Sequence, residues 1–453
     1  MPVTFIPFDR NTLDPFPPTV KDYLPESHLA RFVVEIVEQL DLSPLVQAYS
    51  GRGSQPYHPA MLIALLFYGY ATGVFSSRKL AHATHDSIAF RYICANTHPD
   101  HRTLSDFRKR FLSELKALFV QILLIAQAMG VIKLGTVSLD RTKIHANANK
   151  HKAHSWDHAN RLEAQLKGEV DALMTLAEQA DNTPNPERLD IPEELERRQQ
   201  RLEVIAAAKE EIAARAQARF EAEQAEYARK LAERQARIDA TGKKPGGKPP
   251  KAPEPGPRAK DQVNLTDPES RIMPIAGGGF EQAYNAQASV DTATHLIVGE
   301  HLTDHVNDKQ EIAPALERLE ALPDALGEVK KALADTGFYS AENLERCETA
   351  GIEPFIPQGR QGHNPPLAER LAEDPDPPKA PRSAVQANAQ RLKTREGKAC
   401  YAQRKSTVET VFGVIKQAQG FRQFLLRGLS AVQGEWTLVC MGYNLKRLFA
   451  LIA

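Results

Sequence analysis

Residues 131–152 read VIKLGTVSLDRTKIHANANKHK, and this stretch decides the fold. Its first half alternates apolar with small residues through Val131, Leu134, Val137 and Leu139. It is rich in β-branched types and follows Gly130, a pattern that predicts a buried strand. Asp140 ends that strand. A carboxylate at the carboxyl edge of a buried strand is held rigidly against a crevice, where α/β sheets place their chemistry. An Asp that merely opens a turn is the plainer alternative. Immediately beyond it come Arg141, Lys143, His145, Lys150, His151, Lys152 and His154. Such a basic run attracts polyanions.

Outward from this stretch, 453 residues can bury at least one large core. Lys plus Arg equals Asp plus Glu at 57 each, so affinity for nucleic acid must come from local patches. Cys94, Cys347, Cys400 and Cys440 are far apart and form no Cys-x-x-Cys pair, so neither a zinc ribbon nor a disulfide framework is indicated. The Pro-rich start, MPVTFIPFDRNTLDPFPPTV, lacks a basic region followed by an apolar core. The apolar runs Met61–Tyr70 and Leu118–Ala128 are too short or too interrupted to span a bilayer. A soluble, cytoplasmic protein with no membrane partner is expected.

Residues 1–130 predict an all-helical domain. One amphipathic helix is expected from Glu26 to Ala48, a second opening at Pro59, a third capped by Ser76 or Ser77, and a fourth starting at Thr103 or Ser105. SDFRKR, residues 105–110, would put charge in the early turns of that last helix, against its dipole, unless a phosphate backbone docks there. An ordinary solvated face is the alternative. Residues 155–240 predict a long helical hairpin broken by NTPNPERLDIP, and residues 241–262 a flexible basic linker. Strands and helices alternate from Val263 to the end, with a Pro-rich loop at 364–388. Residues 131–154 and 263–453 therefore predict one α/β sheet domain, interrupted by the hairpin.

Three acids occupy suggestive settings. Asp140 ends one strand, Asp335 ends another in ALADTGFYS, where Gly337 permits a sharp exit, and Glu409 lies on a helix in RKSTVETVFGVIK. Brought together, two Asp and a Glu would suit two hard divalent cations, Mg²⁺ or Mn²⁺, which can activate a nucleophile on one side of a phosphodiester and stabilise the leaving oxygen on the other. Lys416 is seven residues past Glu409 and would share its helix face, placing a cation for a DNA phosphate, with Arg404 and Lys405 one turn earlier. An exposed helix laced with weak salt bridges is the alternative. Competing sites are a zinc cluster of His145, His151, His154 and His158, and Asp291 as a rival second ligand, although a turn suits Asp291 as well. Asn285 and Gln287 are polar residues without an evident reason on a central strand. The glycines at 277–279 form no phosphate loop, because no Gly-Lys-Ser/Thr follows.

The motifs YHPAMLIALLFYGYATGVFSSRKL, RTLSDFRKRF, LGTVSLDRTKIHANANKHKAHS, DPESRIM, FEQAYNAQASVD, ALADTGFYSAENL, GIEPFIP and RKSTVETVFGVIK span nearly the whole chain outside the hairpin and linkers. In them the chain resembles the DDE transposases of bacterial insertion sequences, in the branch with an N-terminal helical domain and a helical insertion after the first catalytic strand. The resemblance implies an RNase H-like mixed sheet with flanking helices. It implies a catalytic triad of Asp140, Asp335 and Glu409 holding two metal ions, with Lys416 as the helix lysine. The family's Tyr and Arg ahead of the Glu correspond to Tyr401 and to Arg404 or Lys405, with spacing shifted by one. Position 141 is Arg where these relatives typically have Gly, which places a bulky cation beside the first metal ligand. The implied function is cleavage of element ends and joining of the 3′-hydroxyl to target DNA, by a homodimer in a synaptic complex at the bacterial nucleoid. DNA contacts are expected from Arg102, Arg108, Lys109, Arg110, Arg141, Lys143, Lys150, Lys152, Arg404 and Lys405. The alternatives are a transposase-derived protein that binds DNA without cutting it, and a resident nuclease acting on flaps or junctions.

Overall fold

Prolines and polar caps divide the N-terminal region into short helices. The stretch expected as one helix from Glu26 to Ala48 is two, α1 (Leu29–Glu38) and α2 (Ser43–Gln47). Pro44 is accommodated only in a first turn, and Asp41 Oδ1 accepts from Ser43 N at 3.0 Å, so the helix restarts there. α3 (Pro59–Thr72) opens at Pro59 as expected and is buried on nearly every side. It stops at Gly73, whose φ of +84° suits glycine and where a Cβ would lie 2.6 Å from Gln419 O. The expected third helix is broken at Ser87 into α4 (Ser77–Asp86) and α5 (Ile88–Ile93). Asp100, rather than Thr103 or Ser105, caps α6 (His101–Arg110): Arg102 N and Thr103 N donate to its Oδ1 at 2.6 and 2.9 Å. Arg108, Lys109 and Arg110 therefore occupy the last turn, where positive charge complements the dipole instead of opposing it. α7 (Leu115–Ala128) follows.

The structure, a computed structural model, describes residues 19–49, 55–180, 190–243, 246–275, 277–359, 374 and 383–452. Chain packing gives two compact units. One holds Met1–Ile144, Asn285–Leu426 and Ser430–Ala453, and the other His145–Tyr284 and Arg427–Leu429.

The first unit is built on a mixed sheet. β1 (Thr136–His145) pairs in parallel with β7 (Lys331–Leu333), and β7 in parallel with β8 (Glu353–Phe355). On its other side β1 neighbours β5 (Phe280–Asp291), which runs antiparallel to β6 (Ile297–Thr303). Helices α10 (Ile312–Glu320), α11 (Ala341–Thr349), α12 (Ala384–Arg391) and α13 (Arg395–Arg404) flank the later strands. α14 (Leu429–Ile452) is buried for most of its length and covers the edge of β6. Asn444 satisfies both backbone groups of Ile297, at 2.8 and 2.7 Å, and Gln433 Oε1 accepts from Leu302 N at 2.7 Å, so strand groups left without a sheet neighbour are paired by side chains.

A buried polar knot joins α3, α6 and α14. Arg108 Nη1 donates to Tyr70 Oη at 3.0 Å, and Tyr70 donates to Glu435 Oε1 at 3.4 Å. Glu435 also accepts from Leu425 N and Leu426 N, at 2.9 and 3.0 Å, so Phe424–Leu426 form a loop wrapped on a carboxylate. Burial raises the pKa of Glu435, against the pull of Arg108. Glycine permits the close helix crossing beside it: a Cβ at Gly442 would lie 2.8 Å from Tyr70 Cβ and 2.9 Å from Ala71 N.

In the second unit, β2 (Ala153–Ser155) pairs antiparallel with β3 (Gln262–Asn264), and β4 (Arg271–Pro274) pairs antiparallel with the first part of β5. α8 (Trp156–Ala180) packs on α9 (Ile191–Thr241) through Ala159, Leu162, Leu166 and Ile205. Arg219 Nη1 bonds Asp261 Oδ1 at 2.8 Å, which ties the end of the basic linker to α9. Most of the Pro/Asn break, most of the Pro-rich stretch 364–388 and the Pro-rich residues 1–18 lie outside the described residues; from Ala384 the Pro-rich stretch is already α12.

Replacing Arg108 with Met removes the donor to Tyr70 Oη and the charge that offsets Glu435, and the expected destabilisation is about 1–3 kcal/mol, the range for leaving a buried polar group unpaired. Lys109→Ala, one exposed residue away, should change stability by no more than about 0.5 kcal/mol. Urea denaturation of the two variants measures the contrast.

Candidate active site

The parallel pairing of β1 with β7 decides where two carboxylates go. Ser138 lies opposite Leu333 in this register, and two residues further along come Asp140, still within β1, and Asp335, just past the end of β7. The two acids therefore stand side by side at the height where β7 stops; β1 runs on past Asp140 to His145, so Asp140 sits within its strand and does not end it as expected. Asp140 Oδ1 accepts from Arg141 N at 2.8 Å, and Asp335 Oδ1 accepts from Gly337 N at 2.8 Å, where it caps a short 3₁₀ turn over Thr336–Phe338. Burial pushes the Asp140 carboxyl up to about 6; the Arg141 N–H and Arg404 oppose the rise, and the charges of Asp335 and Asp308 add to it.

The third acid arrives on the helix that begins as α13. That helix continues without interruption to Ala418, but two of its segments, Lys405–Glu409 and Val414–Ala418, are π turns. A π turn bonds i to i+5, so the residue stacked with Glu409 is the one five earlier, Arg404, rather than Lys405. Arg404 Nη1 lies 2.9 Å from Asp140 Oδ2 and its Nη2 lies 3.0 Å from Glu409 Oε1, so one buried guanidinium joins the strand acid to the helix acid. Tyr401, one turn earlier, bonds Arg404. Lys416, in the second π turn, donates to Lys143 O of β1 at 2.8 Å, and burial lowers its pKa. The seven-residue spacing from Glu409 does not leave Lys416 on an open helix face; it docks the helix onto the strand.

A fourth carboxylate was not anticipated. Asp308, in the loop between β6 and α10, is 1% exposed. Its Oδ1 accepts from Asn285 Nδ2 and Gln287 Nε2 at 3.1 and 3.2 Å, and its Oδ2 lies 2.7 Å from Arg141 Nε. Arg141 Nη1 also donates to Val306 O at 2.8 Å. The two unexplained polar residues of β5 thus have a purpose, and alternate residues facing one way along a buried strand were the available signal. Gly337 is needed for space: a Cβ there would lie 2.9 Å from Asp335 Oδ1 and 3.0 Å from Asp308 Oδ2. The sharp strand exit expected of it is not the reason, since its φ is not positive.

The same loop is secured by Glu311, a buried acid that accepts from His301 Nε2 at 2.9 Å and from His305 Nδ1 at 2.7 Å. Burial alone would raise its pKa, but the two imidazole hydrogen bonds prevail and bring it down to about 2.

Of the residues expected to meet DNA, Arg102, Lys109, Arg110 and Lys405 are exposed in the first unit, and Lys150 and Lys152 are exposed in the second. Arg110 packs 5.0 Å from the ring centroids of Tyr49 and Phe111, and Lys150 pairs with Glu281 at 2.7 Å. Arg108, Arg141 and Arg404 are turned inward as described, and Lys143 is half-buried. Asp291 accepts from Thr294 N and Oγ1, at 2.8 and 2.7 Å, which fits the turn role. His154 and His158 stand with ring centroids 4.9 Å apart.

Among the described residues no three His, Cys, Asp or Glu side chains converge closely enough to hold a metal ion. The donors nevertheless suit a hard divalent cation. Asp140 and Glu409 are separated by the width of one guanidinium, Asp335 stands beside Asp140 in register, and all three offer carboxylate oxygens.

Two family models match the chain, one described as Transposase domain (DUF772) over residues 18–110 and one as Transposase DDE domain over residues 251–445. The second contains Asp308, Asp335 and Glu409, while Asp140 precedes it. No curated protein and no solved structure matches.

Two outcomes follow from this geometry. Gly337→Ala should force the Asp335 and Asp308 carboxylates apart and lower stability by about 1–3 kcal/mol, as overpacking does, readable by urea denaturation. Glu311 has a depressed folded pKa, so its contribution is complete above its ordinary 4.5 and is lost as pH falls toward about 2. Glu311→Gln should therefore lose roughly 2–3 kcal/mol at neutral pH and show a flatter acid limb in a plot of melting temperature against pH.

Proposed function

Because the chain belongs to the insertion-sequence DDE transposases, we propose that it cuts the ends of such an element and joins the freed 3′-hydroxyl to target DNA, with Asp140, Asp335 and Glu409 as the catalytic acids. Family membership implies an RNase H-like fold, DNA as substrate and a divalent-metal-dependent activity. The observation that carries the finer reading is the register match of Asp140 with Asp335, together with the Arg404 guanidinium that reaches both Asp140 and Glu409.

Asp140, Asp335 and Glu409 would hold the ions. Two Mg²⁺ or Mn²⁺ ions supply Lewis acidity to the attacking and leaving oxygens of an in-line displacement. The protein's own groups orient the substrate. Arg404, with a planar fork already aligned between two carboxylates, is placed to exchange a carboxylate for a phosphate of the incoming strand. Lys416 braces the helix on β1 and keeps Glu409 at a fixed height above the sheet. The exposed cations Arg102, Lys109, Arg110, Lys150, Lys152 and Lys405 would track the DNA backbone. In this reading the N-terminal helices recognise the element end, and residues 155–240 act as a helical insertion contacting DNA or a second protomer. A synaptic homodimer follows from the need to process two ends together.

The test is cleavage of a duplex bearing the element end, with Mg²⁺ or Mn²⁺. Asp140→Asn, Asp335→Asn and Glu409→Gln should each lower cleavage by roughly 10³-fold while end binding persists. A wild-type chain that binds ends and never nicks them, or a triple variant that still cuts, overturns the proposal.

A further inference from the structure

An arginine directly after the first catalytic acid poses an electrostatic problem, since a mobile guanidinium there competes with any divalent cation for the same carboxylates. The structure holds that guanidinium elsewhere. Arg141 and Asp140 are consecutive on β1, so their side chains leave opposite faces of the strand. The Arg141 side chain spans to the loop after β6, with Nε 2.7 Å from Asp308 Oδ2 and Nη1 2.8 Å from Val306 O. Asp308 is in turn held by amides two residues apart on β5, Asn285 and Gln287, and Asn285 also donates to His305 O at 3.1 Å. Asp308 O accepts from Glu311 N at 3.0 Å where α10 begins, so the loop is tied down at its backbone as well.

We propose that Asp308 is a positioning residue of the active site: it clamps Arg141, cancels its charge and keeps its guanidinium away from the metal-binding carboxylates. The inference rests on the assignment of Asp140, Asp335 and Glu409 as those carboxylates. Asp308 and Arg141 form an internally neutral pair beside Asp335 and Asp140. Removing either member alone leaves a net charge at the site, of opposite sign in the two cases. Removing both leaves none.

That sign pattern is the test. Mn²⁺ alone is titrated against the full-length chain without DNA, with bound metal read by electron paramagnetic resonance and folding checked by circular dichroism. Asp308→Asn releases an uncompensated cation and should weaken Mn²⁺ binding by about 10-fold, the low end of the range for partners that orient metal ligands. Arg141→Gln leaves an extra carboxylate and should tighten binding. The double variant should return to within about threefold of wild type, because the two opposite shifts cancel when both charges are removed. A purely structural clamp predicts lower melting temperatures for both single variants and shifts of the same sign, and that result overturns the proposal, as does wild-type Mn²⁺ affinity in Asp308→Asn. Asp140→Asn separates the two levels: if it too leaves Mn²⁺ binding intact, the catalytic assignment itself fails, whereas loss of binding in Asp140→Asn with no change in Asp308→Asn removes only the role given to Asp308.

Discussion

Two carboxylates leaving adjacent parallel strands at the same height repel each other, and much of the first unit answers that repulsion. Burial makes the problem worse, because water that would screen the charges is excluded, and the Asp140 carboxyl is driven up to about 6 as a result. The answers come from three directions. Arg404 arrives from the helix above, Arg141 ties up the additional acid Asp308, and the Asn285 and Gln287 amides supply donors from the neighbouring strand. Each donor comes from a different element, so the charge arrangement and the packing of the sheet are one structure rather than two.

The helix bearing Glu409 shows how a small irregularity serves this end. A regular α-helix would bring position 405 under Glu409, and Lys405 is exposed. One extra residue in the turn, accommodated as a π segment, brings Arg404 there instead, inside the protein and within reach of Asp140. A planar guanidinium can serve two carboxylates at once, whereas an ammonium acts as a point charge. The second π segment adjusts the helix again before Lys416 meets Lys143 O, so the helix is pinned to β1 at two places and Glu409 rides between them.

The rest of the unit applies the same rule to its other buried charges. Glu435 gathers two backbone amides and a tyrosine, with Arg108 behind them. Glu300 is bonded by Gln433 and Thr437 of α14, and Glu311 by two histidines. Buried acids persist where several donors converge, and each convergence fastens a loop or helix to the sheet.

The sequence by itself pointed to a buried strand through Asp140, though not to its continuation to His145, and to helices in the described part of residues 19–130, because these signals are local: apolar alternation, prolines in first turns and motifs contiguous in the chain. It misjudged where local signals compete, as at α6, where Asp100 outranks Thr103 as a cap and reverses the sense of the charge on Arg108 to Arg110. Only the tertiary structure decided that Arg404 and not Lys405 faces the site, that Gly337 is a matter of space between two carboxylates, and that Arg141 is paired with Asp308. Those facts depend on contacts between residues up to 264 positions apart. Such contacts follow from strand register and helix phase, which a single sequence does not display.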